Sequence, residues 1–364
     1  MITRENMREL ARFQSPEEGS ALSFYFQPRT PQNKSHREEG ILAKDLVRKA
    51  LHEVQKNGKN EAARADLRRI LEIAGNLRGN QARALAIFAC GASEFWREFE
   101  LPPDLPATQL FVNRRFHLKP LAALLGAQPR LCVVVVDRQR ARLFDFRLDE
   151  LVEREGLFRN LPRRGRSDGF AGYDGGHSER RVADEARHHF KDVAARLKEE
   201  QDRGGFEKLI IGCQDTNWRE IEPHLHPYVK HRLLAHFSAE VATISTDQIR
   251  QRASQILRDE QTRRRQTALQ DVLGQAHQNG RGVTGLRRVL RSLELGEVQT
   301  LFLGDAFRAH AVECTGCGHL DSHMVRFCAA CGRATREIDD VCDAIIPGAI
   351  MRDIELFYVK DDAD

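Results

Sequence analysis

The sequence of 364 residues lacks the features that mark several specialised classes of protein. No apolar run follows the initial methionine, so we expect no secretory signal peptide. No stretch approaches the roughly 18–20 apolar residues that a membrane helix requires, and we expect no membrane partner. Internal repeats and low-complexity tracts are also lacking. Together these absences favour a cytoplasmic protein with ordinary domain cores.

Signatures of familiar catalytic chemistry are equally scarce. No Ser/His/Asp arrangement can be read from the sequence, and no cluster of carboxylates stands out that would hold the exchangeable metal of a nuclease. Charge of one sign does not dominate, because 57 Lys and Arg residues face 53 Asp and Glu residues, a formal net charge of +4. The local clustering of arginines therefore carries more information than the total charge.

The order of apolar patterns predicts the fold class. Strand-like runs alternate with amphipathic helices, which indicates a mixed α/β (α+β) protein. We expect three domains of mixed sheets with flanking helices: an N-terminal domain with a helical hairpin at 1–128, a central domain at 129–260, and a C-terminal domain at 261–364. The third would carry a zinc ribbon at about 314–331.

Individual elements can be predicted from local patterns. Residues 131–136 form a continuous apolar run, which predicts a strand covered on both faces. Residues 22–26 alternate and predict a half-buried strand, and residues 241–244 predict another strand. A further helix is expected to be capped by Thr284 and to end at Gly296.

Eight cysteines are expected to be thiols or metal ligands in a reducing compartment. Cys90, Cys132 and Cys213 lie in or beside apolar runs, which favours buried small hydrophobic side chains. Cys342 has no neighbouring partner in the sequence and is assigned no role.

Two Cys-x-x-Cys pairs near the C-terminus predict a metal site. The pairs are separated by ten residues, and their four cysteines are Cys314, Cys317, Cys328 and Cys331. A glycine follows each pair (Gly318 and Gly332) and permits the tight turn that aims two thiolates at one point. Four thiolates suit tetrahedral Zn²⁺ and leave no open position for water, so the predicted zinc is structural. Zinc binding contributes roughly 10–16 kcal/mol in isolated fingers.

Other interpretations of these cysteines remain open at this point. They could be unpaired thiols, or the site could recruit His319 or His323 in place of a cysteine. A redox pair is a weaker alternative, since two such pairs in series are uncommon in redox folds.

A loop rich in arginine and glycine precedes a long polar helix. Its arginines are Arg163, Arg164 and Arg166, and the helix that follows carries Arg180, Arg181 and Arg187. Gly175 and Gly176 allow the backbone to approach another surface, and Ser178 is expected to cap the helix. Cationic side chains around a helix N-terminus favour phosphate-rich nucleic acid. The alternative is a solvated loop and a solvated charged helix, since acidic residues are interspersed.

The stretch Gly-Gly-His-Ser-Glu-Arg-Arg at 175–181 resembles a signature of the archaeal and eukaryotic class I peptide-chain release factors, and of their divergent bacterial branch in particular. In that family a Gly-Gly-Gln-Ser loop followed by arginines opens a long helix. The two strands at 131–146, the basic segment at 160–169, the helix and strand at 284–303 and the cysteine ribbon also follow the family's order. The resemblance covers nearly the whole chain.

The chain departs from that family at three places. His177 stands where the family has glutamine. The first hairpin loop, at 56–61, lacks the Asn-Ile-Lys-Ser motif that reads stop codons. Leu110, Val112 and Phe116 occupy the positions of the family's Tyr-x-Cys-x-x-x-Phe motif, so only the phenylalanine is retained. These departures predict a protein that does not read stop codons.

The resemblance implies a function in translation. Its partners would be the ribosome and peptidyl-tRNA, with a translational GTPase as a further partner. Gly175, Gly176 and His177 would be the catalytic residues of peptidyl-tRNA hydrolysis in ribosome rescue, and the six arginines would bind RNA. The alternatives are a factor that binds the ribosome or tRNA without catalysis, a nuclease, and an interaction scaffold that docks through its zinc ribbon.

Overall fold

A computed structural model describes the chain at 2–17, 19–28, 38–56, 60–77, 83–102, 107–125, 129–154, 175–278 and 280–359, with 125 and 175–182 described by their backbone. It contains two compact units: residues 1–127 together with 267–364, and residues 128–266. Both contain sheets and helices, so the predicted mixed α/β class is confirmed. The division into three domains at 128 and 260 stays a prediction.

The N-terminal part of the first unit is a four-stranded antiparallel sheet with helices. Its elements are α1 (Arg4–Arg12), β1 (Ala21–Phe26), α2 (Glu38–Lys56), α3 (Glu61–Asn76), β2 (Ala84–Cys90), β3 (Phe95–Leu101), β4 (Gln109–Asn113) and α4 (Lys119–Leu125). The strand order is β3-β2-β1-β4. The predicted helical hairpin corresponds to α2 and α3.

Strand β1 is buried on both faces, which corrects the expectation of a half-buried strand. Leu22, Phe24 and Phe26 pack against α2 and α3 on one face. On the other face Tyr25 meets Phe88 edge to face, with ring centroids 5.7 Å apart. The alternation in the sequence therefore separates two apolar environments rather than core from solvent.

The second unit contains a five-stranded sheet in the order β7-β6-β5-β8-β9. Its elements are β5 (Leu131–Val136), β6 (Ala141–Arg147), β7 (Glu150–Glu153), α5 (Gly175–Asp202), β8 (Lys208–Gly212), α6 (Asp215–Ile221), α7 (Pro227–Arg232) and β9 (Leu233–Phe237), followed by α8 (Thr246–His277). Strands β5, β8 and β9 are parallel, and β6 and β7 add antiparallel to the edge.

The central strand β5 is covered on both faces, as its apolar run predicts. Val134 packs with Phe190 of α5 in one core, and Val133 packs with Ile249 of α8 in the other. All four side chains are fully buried. This double cover anchors α5, the helix that begins with the two glycines.

The predicted strand at 241–244 is wrong, because these residues form a turn. The strand of this region is β9, which pairs in parallel with β8. Val241 and Ile244 are apolar because they pack into the core beneath the sheet. Helix α8 then runs without a break from Thr246 to His277.

The C-terminal part returns to the first unit. Its elements are α9 (Leu286–Leu295), β10 (Thr300–Gly304), β11 (Ala311–Cys314), β12 (Leu320–Asp321), β13 (Thr335–Ile338), α10 (Cys342–Met351) and β14 (Glu355–Val359). Strands β10 and β14 pair in parallel, and β12-β11-β13 form a small antiparallel sheet.

The predicted end of α9 is confirmed, and its predicted start is wrong. Gly296 ends the helix with a φ of +74°, a conformation that glycine adopts without strain. The N-cap is Gly285 rather than Thr284. Its φ of +88° lies in a region that disfavours other residues, so a glycine occupies the cap position and no side chain accepts a hydrogen bond there.

Polar contacts join the N-terminal and C-terminal parts of the first unit. The Asp343 carboxylate accepts a hydrogen bond of 2.7 Å from Asn113 Nδ2. Its other oxygen lies 2.7 Å from His117 Nδ1. Lys119 Nζ donates to the carbonyl oxygens of Gly304 and Phe307. These pairs are more than 180 residues apart in sequence, and they connect the first sheet to the ribbon-bearing part.

Candidate metal centre and glycine-led helix

The two Cys-x-x-Cys pairs converge on one point. The four sulfur atoms all lie within 4.8 Å of one another. Cys314 Sγ is 3.3 Å from Cys331 Sγ, and Cys317 Sγ is 3.6 Å from Cys328 Sγ. Four sulfurs at ~2.3 Å from a tetrahedral zinc are separated by about 3.8 Å, so the cluster has the size of a zinc site.

The backbone prepares the two turns in the same way. The amide of Cys314 donates to His319 O and the amide of Cys328 donates to Arg333 O, both at 2.8 Å. Gly318 and Gly332 follow with φ of +74° and +73°. The repeated hydrogen bonds and the repeated left-handed glycine give two equivalent knuckles, each presenting a pair of thiols to the same centre.

Backbone amides also favour the thiolate form. Cys317 N and Gly316 N donate to Cys314 Sγ at 3.4 and 3.3 Å, and Ala330 N donates to Cys328 Sγ at 3.4 Å. The amides of Cys317 and Gly316 lower the pKa of the Cys314 thiol to about 6. A thiol that ionises below neutral pH is a ready metal ligand, because the thiolate is the coordinating form.

Each of the two neighbouring histidines lies within hydrogen-bond distance of a carboxylate. His319 Nδ1 lies 2.8 Å from Glu294 Oε1, and His323 Nδ1 lies 3.1 Å from Asp321 Oδ1. The described cluster accordingly consists of four cysteines, which fits a closed structural Zn²⁺ site better than a mixed site. Bound there, the ion would supply a cross-link between the knuckles. The four cysteines can hold a metal ion such as zinc.

The second candidate region is the start of α5. Gly175, Gly176 and His177 are the first three residues of this 28-residue helix. Ser178 therefore lies inside the first turn, and its predicted role as the N-cap is wrong. The first buried side chain described on the helix is Ala186, since Ala183, Asp184 and Glu185 are exposed. At 1.5 Å per residue, the glycines lie about 16 Å along the helix from that first buried residue.

The predicted RNA-binding arginines are only partly described. Arg163, Arg164 and Arg166 lie outside the described residues, and Arg180 and Arg181 belong to α5 by their backbone. Arg187 is exposed on α5 and lies 3.4 Å from Asp184 Oδ1, a surface ion pair between neighbouring turns. The RNA-binding assignment of these six residues stays a prediction.

The two histidines in the middle of α5 differ in environment. His188 is exposed and bonds through Nδ1 to the Asp184 carbonyl at 2.8 Å. His189 is 7% exposed, and its Nε2 has no hydrogen-bond partner in the described part of the chain. Burial lowers the pKa of His189, although a backbone hydrogen bond involving Arg140 and the charges of Asp137 and Asp192 act in the opposite direction. His189 is a buried side chain more than three turns from His177.

A buried ion cluster beside the first knuckle was not anticipated from the sequence. Glu313, whose side chain is 6% exposed, receives a two-pronged interaction from Arg115 (2.5 and 3.0 Å) and a second from Arg336. Burial would raise the pKa of Glu313, but the hydrogen bonds from Arg115 and Arg336 outweigh it and lower that pKa. Arg115 and Glu313 are 198 positions apart, so no local pattern signals their contact.

The middle segment of the chain matches a known family model. Residues 117–258 match the family model of bacterial archaeo-eukaryotic release factor family 10. This segment of the chain, 142 of its 364 residues, therefore resembles a release-factor family. The match contains the five-stranded sheet and all of α5, including Gly175, Gly176 and His177. No curated protein matches the chain.

Solved structures of release-factor-like proteins are similar to this chain at low identity. An archaeal translation termination factor, aRF1, shares 16% identity with a TM-score of 0.26 over 99% of this chain and 93% of its own. Pelota of Archaeoglobus fulgidus shares 10% with a TM-score of 0.35, over 100% of this chain and 87% of its own. Dom34 of S. cerevisiae, a termination-like factor that interacts with Hbs1, shares 10% with a TM-score of 0.33, over 78% and 76%.

Among the helices of the described ranges, none combines sufficient length with sufficient apolar character to cross a bilayer.

Proposed function

We propose that this chain binds the ribosome and hydrolyses peptidyl-tRNA in ribosome rescue, without reading a stop codon. One observation carries the proposal: the segment that matches the release-factor model contains Gly175, Gly176 and His177 at the start of α5. The partners are the ribosome and peptidyl-tRNA. A translational GTPase is proposed as the delivering partner on the same family grounds.

The arrangement of α5 supports this chemistry in two ways. Its C-terminal two-thirds are fixed to the sheet by buried side chains such as Phe190, Val193 and Leu197. Its start lies about 16 Å along the helix from Ala186, the first side chain described as buried, and residues 183–185 just before Ala186 are exposed. A helix N-terminus carries unpaired amide donors and a partial positive charge, which favours a negatively charged ligand such as tRNA.

The proposed reaction is the hydrolysis of an ester. Water attacks the carbonyl carbon that joins the nascent peptide to the tRNA ribose, and the bond between that carbon and the ribose oxygen breaks. The products are a peptide with a free carboxyl group and a tRNA with a free hydroxyl. The backbone amide of His177 would stabilise negative charge on the leaving ribose oxygen. Its imidazole would orient the water or accept its proton near neutral pH.

The absence of stop-codon reading has support in the N-terminal sheet. Leu110 and Val112, which replace the tyrosine and cysteine of the family motif, pack against the core of β1 and the helical hairpin. Phe116 is fully buried, and its ring stacks on Phe13 with centroids 4.5 Å apart. The one retained aromatic residue therefore serves the core. The hairpin residues 57–59 lie outside the described residues.

A peptide-release assay tests the proposal directly. Zinc-loaded protein is added to ribosomes that hold a labelled peptidyl-tRNA, with either a sense codon or a stop codon in the decoding site. We expect release at equal rates for both codons. Gly176→Ala should reduce the rate to background, because a Cβ blocks the approach of the backbone. His177→Gln, which restores the family residue, should remain active.

Binding is measured in parallel by co-sedimentation with the ribosomes. Gly176→Ala should still co-sediment, which separates loss of chemistry from loss of binding. If wild type and Gly176→Ala are equally inert, hydrolysis by this loop is refuted.

A second function is favoured by His177 itself. The family's glutamine is missing at this position, which is the change expected of a factor that has kept ribosome or tRNA binding and lost catalysis. That factor would co-sediment with ribosomes and release no peptide, even as His177→Gln.

A further inference from the structure

A cavity of about 610 Å³ lies within the first unit, beside the metal knuckle. Its walls come from the end of α1, the residues after β4, helices α9 and α10, and the first knuckle. This volume falls in the range of pockets that hold small molecules or short peptide segments. None of the residues proposed for peptide release lines it.

One wall of the cavity is strongly cationic. Five arginines line it: Arg12, Arg114, Arg115, Arg336 and Arg352. Only two carboxylates accompany them, and both are engaged: Glu294 with His319, and Glu313 with Arg115 and Arg336. Five arginines against two carboxylates leave a charge of +3. A zinc ion held by the four thiolates, two of which line the cavity, would add −2 and leave +1. The excess stays positive, so a complementary ligand must be anionic.

The excess charge is partly buried, which makes it costly without a partner. Glu313 is the single carboxylate between two arginines whose side chains are 14% and 20% exposed. One positive charge in this triplet is uncompensated. Beside it, Arg114 Nε is buried with no hydrogen-bond partner in the described part of the chain. Arg12 also forms no ion pair with any described residue. Guanidinium groups so placed suit a carboxylate or phosphate.

The part of the lining that comes from α9 and α10 is aliphatic, and it decides between a carboxylate and a phosphate ligand. Leu290, Leu293, Ile345, Pro347 and Met351 line it, and no Phe, Tyr or Trp does. Nucleotides and single-stranded RNA bind largely through stacking of bases on aromatic rings, which this wall does not offer. Aliphatic side chains of a peptide, in contrast, gain free energy by covering such a surface.

We propose that this cavity binds a short acidic peptide segment of a partner protein. Its carboxylates would meet Arg114 and Arg12, and its aliphatic side chains would cover the wall formed by α9 and α10. This site is independent of the glycine-led helix, and it joins the N-terminal part of the first unit to the ribbon-bearing part through one ligand.

A fluorescence-polarisation titration of the zinc-loaded full chain tests the site. The probe is a labelled hexapeptide, Leu-Glu-Leu-Asp-Glu-Leu, and the matched probe replaces each acid by its amide. We expect saturable binding of the acidic peptide alone. Arg114→Gln should weaken binding about tenfold, the effect of losing a charge-assisted hydrogen bond. Arg12→Gln, at the exposed rim, should weaken it in the same direction without disturbing the fold.

The matched control is Arg287→Gln, on the exposed face of α9 and outside the cavity, which should bind as wild type does. The proposal fails if the acidic and amide peptides bind alike. It also fails if Arg287→Gln weakens binding as much as Arg114→Gln, because the attraction is then only the general charge. Inorganic phosphate or an RNA decamer that displaces the peptide more strongly than unlabelled peptide does would assign the cavity to phosphate instead.

Discussion

The metal ribbon and the five-stranded sheet are held together by different forces. Between residues 315 and 340, all of them described, Cys328 is the one buried residue, and Met324 and Phe327 are more than half exposed. The strands of the ribbon are two to four residues long. In the sheet, β5 is buried along its whole length and packs on helices from both faces.

This contrast predicts that the two regions fail independently. Beyond β11 the ribbon buries little apolar surface to offset the conformational entropy of its chain, so we expect its order to depend on a metal bound by the four thiolates. The sheet derives its stability from buried apolar surface and has no need of a metal. Perturbing one should leave the other folded.

Removal of the metal should produce the largest effect. Chelation, or Cys328→Ser, should unfold the ribbon, since isolated fingers gain roughly 10–16 kcal/mol from zinc and are unfolded without it. Trypsin cleavage at the exposed Arg326 and Arg333 measures this loss. Metal analysis of the intact chain should find one zinc ion.

The control for metal removal is the sheet itself. Trp218 packs against its core and stacks on His236, while the other tryptophan, Trp96, lies in the first unit. In a Trp96→Phe background, the unfolding curve of Trp218 should be the same with and without metal. A sheet that unfolds along with the ribbon would contradict independent failure.

Truncation of Phe190 should give the second largest effect, confined to the other region. This fully buried ring joins α5 to the sheet, and Phe→Ala in a core costs about 3–5 kcal/mol. Urea unfolding followed by Trp218 should shift by that amount, while metal content stays at one ion. Arg187→Ala, on the exposed side of the same helix, should change the free energy of unfolding by less than about 0.5 kcal/mol.

Neutralising Glu313 should give the third largest effect on stability. This residue joins the ribbon to Arg115 of the N-terminal part by an ion pair. The five-stranded sheet, in contrast, is joined to α5 by apolar contacts. Glu313→Gln leaves two arginines without a carboxylate, and we expect a loss of about 2–3 kcal/mol in the unfolding of the first unit, followed by Trp96.

The pH dependence of that loss follows from the lowered pKa of Glu313. The carboxylate stabilises the folded chain at pH values above its unfolded pKa of about 4.3, and this contribution is lost as pH falls through the folded value. The difference between wild type and Glu313→Gln should therefore shrink in acid. A difference that is constant from pH 7 to pH 3 would show that the ionised group is not its source.

The contrast also explains what could be predicted from the sequence. The knuckles are local: each needs a Cys-x-x-Cys turn and a following glycine, so pattern alone predicts four converging thiols. Six consecutive apolar residues predict the strand β5. These features depend on neighbours along the chain, and the structure confirms them.

Features that depend on three-dimensional contacts or on backbone conformation could not be predicted from the sequence. Glu313 and Arg115 meet across 198 positions, and nothing near either residue indicates a buried ion cluster. Residues 241–244 look like a strand because they are apolar, yet the polarity of a segment does not distinguish pairing in a sheet from packing beneath it. The N-cap of α9 is Gly285 and not Thr284, because the backbone at the cap adopts a positive φ. The sequence pattern does not show that conformation.

The smallest expected effect concerns His189, a buried polar side chain on α5. Burial lowers its pKa, so the unfolded chain takes up a proton on this ring below about pH 6.5, and the folded chain does so only at a lower pH. Stability is therefore present above that pH and is lost as pH falls toward the folded pKa, by at most about 1.4 kcal/mol per pH unit. His189→Gln should flatten the change in unfolding free energy between pH 7 and pH 5. His188→Gln, its exposed neighbour, should keep the wild-type slope, and equal slopes in all three proteins would show that His189 does not titrate with folding.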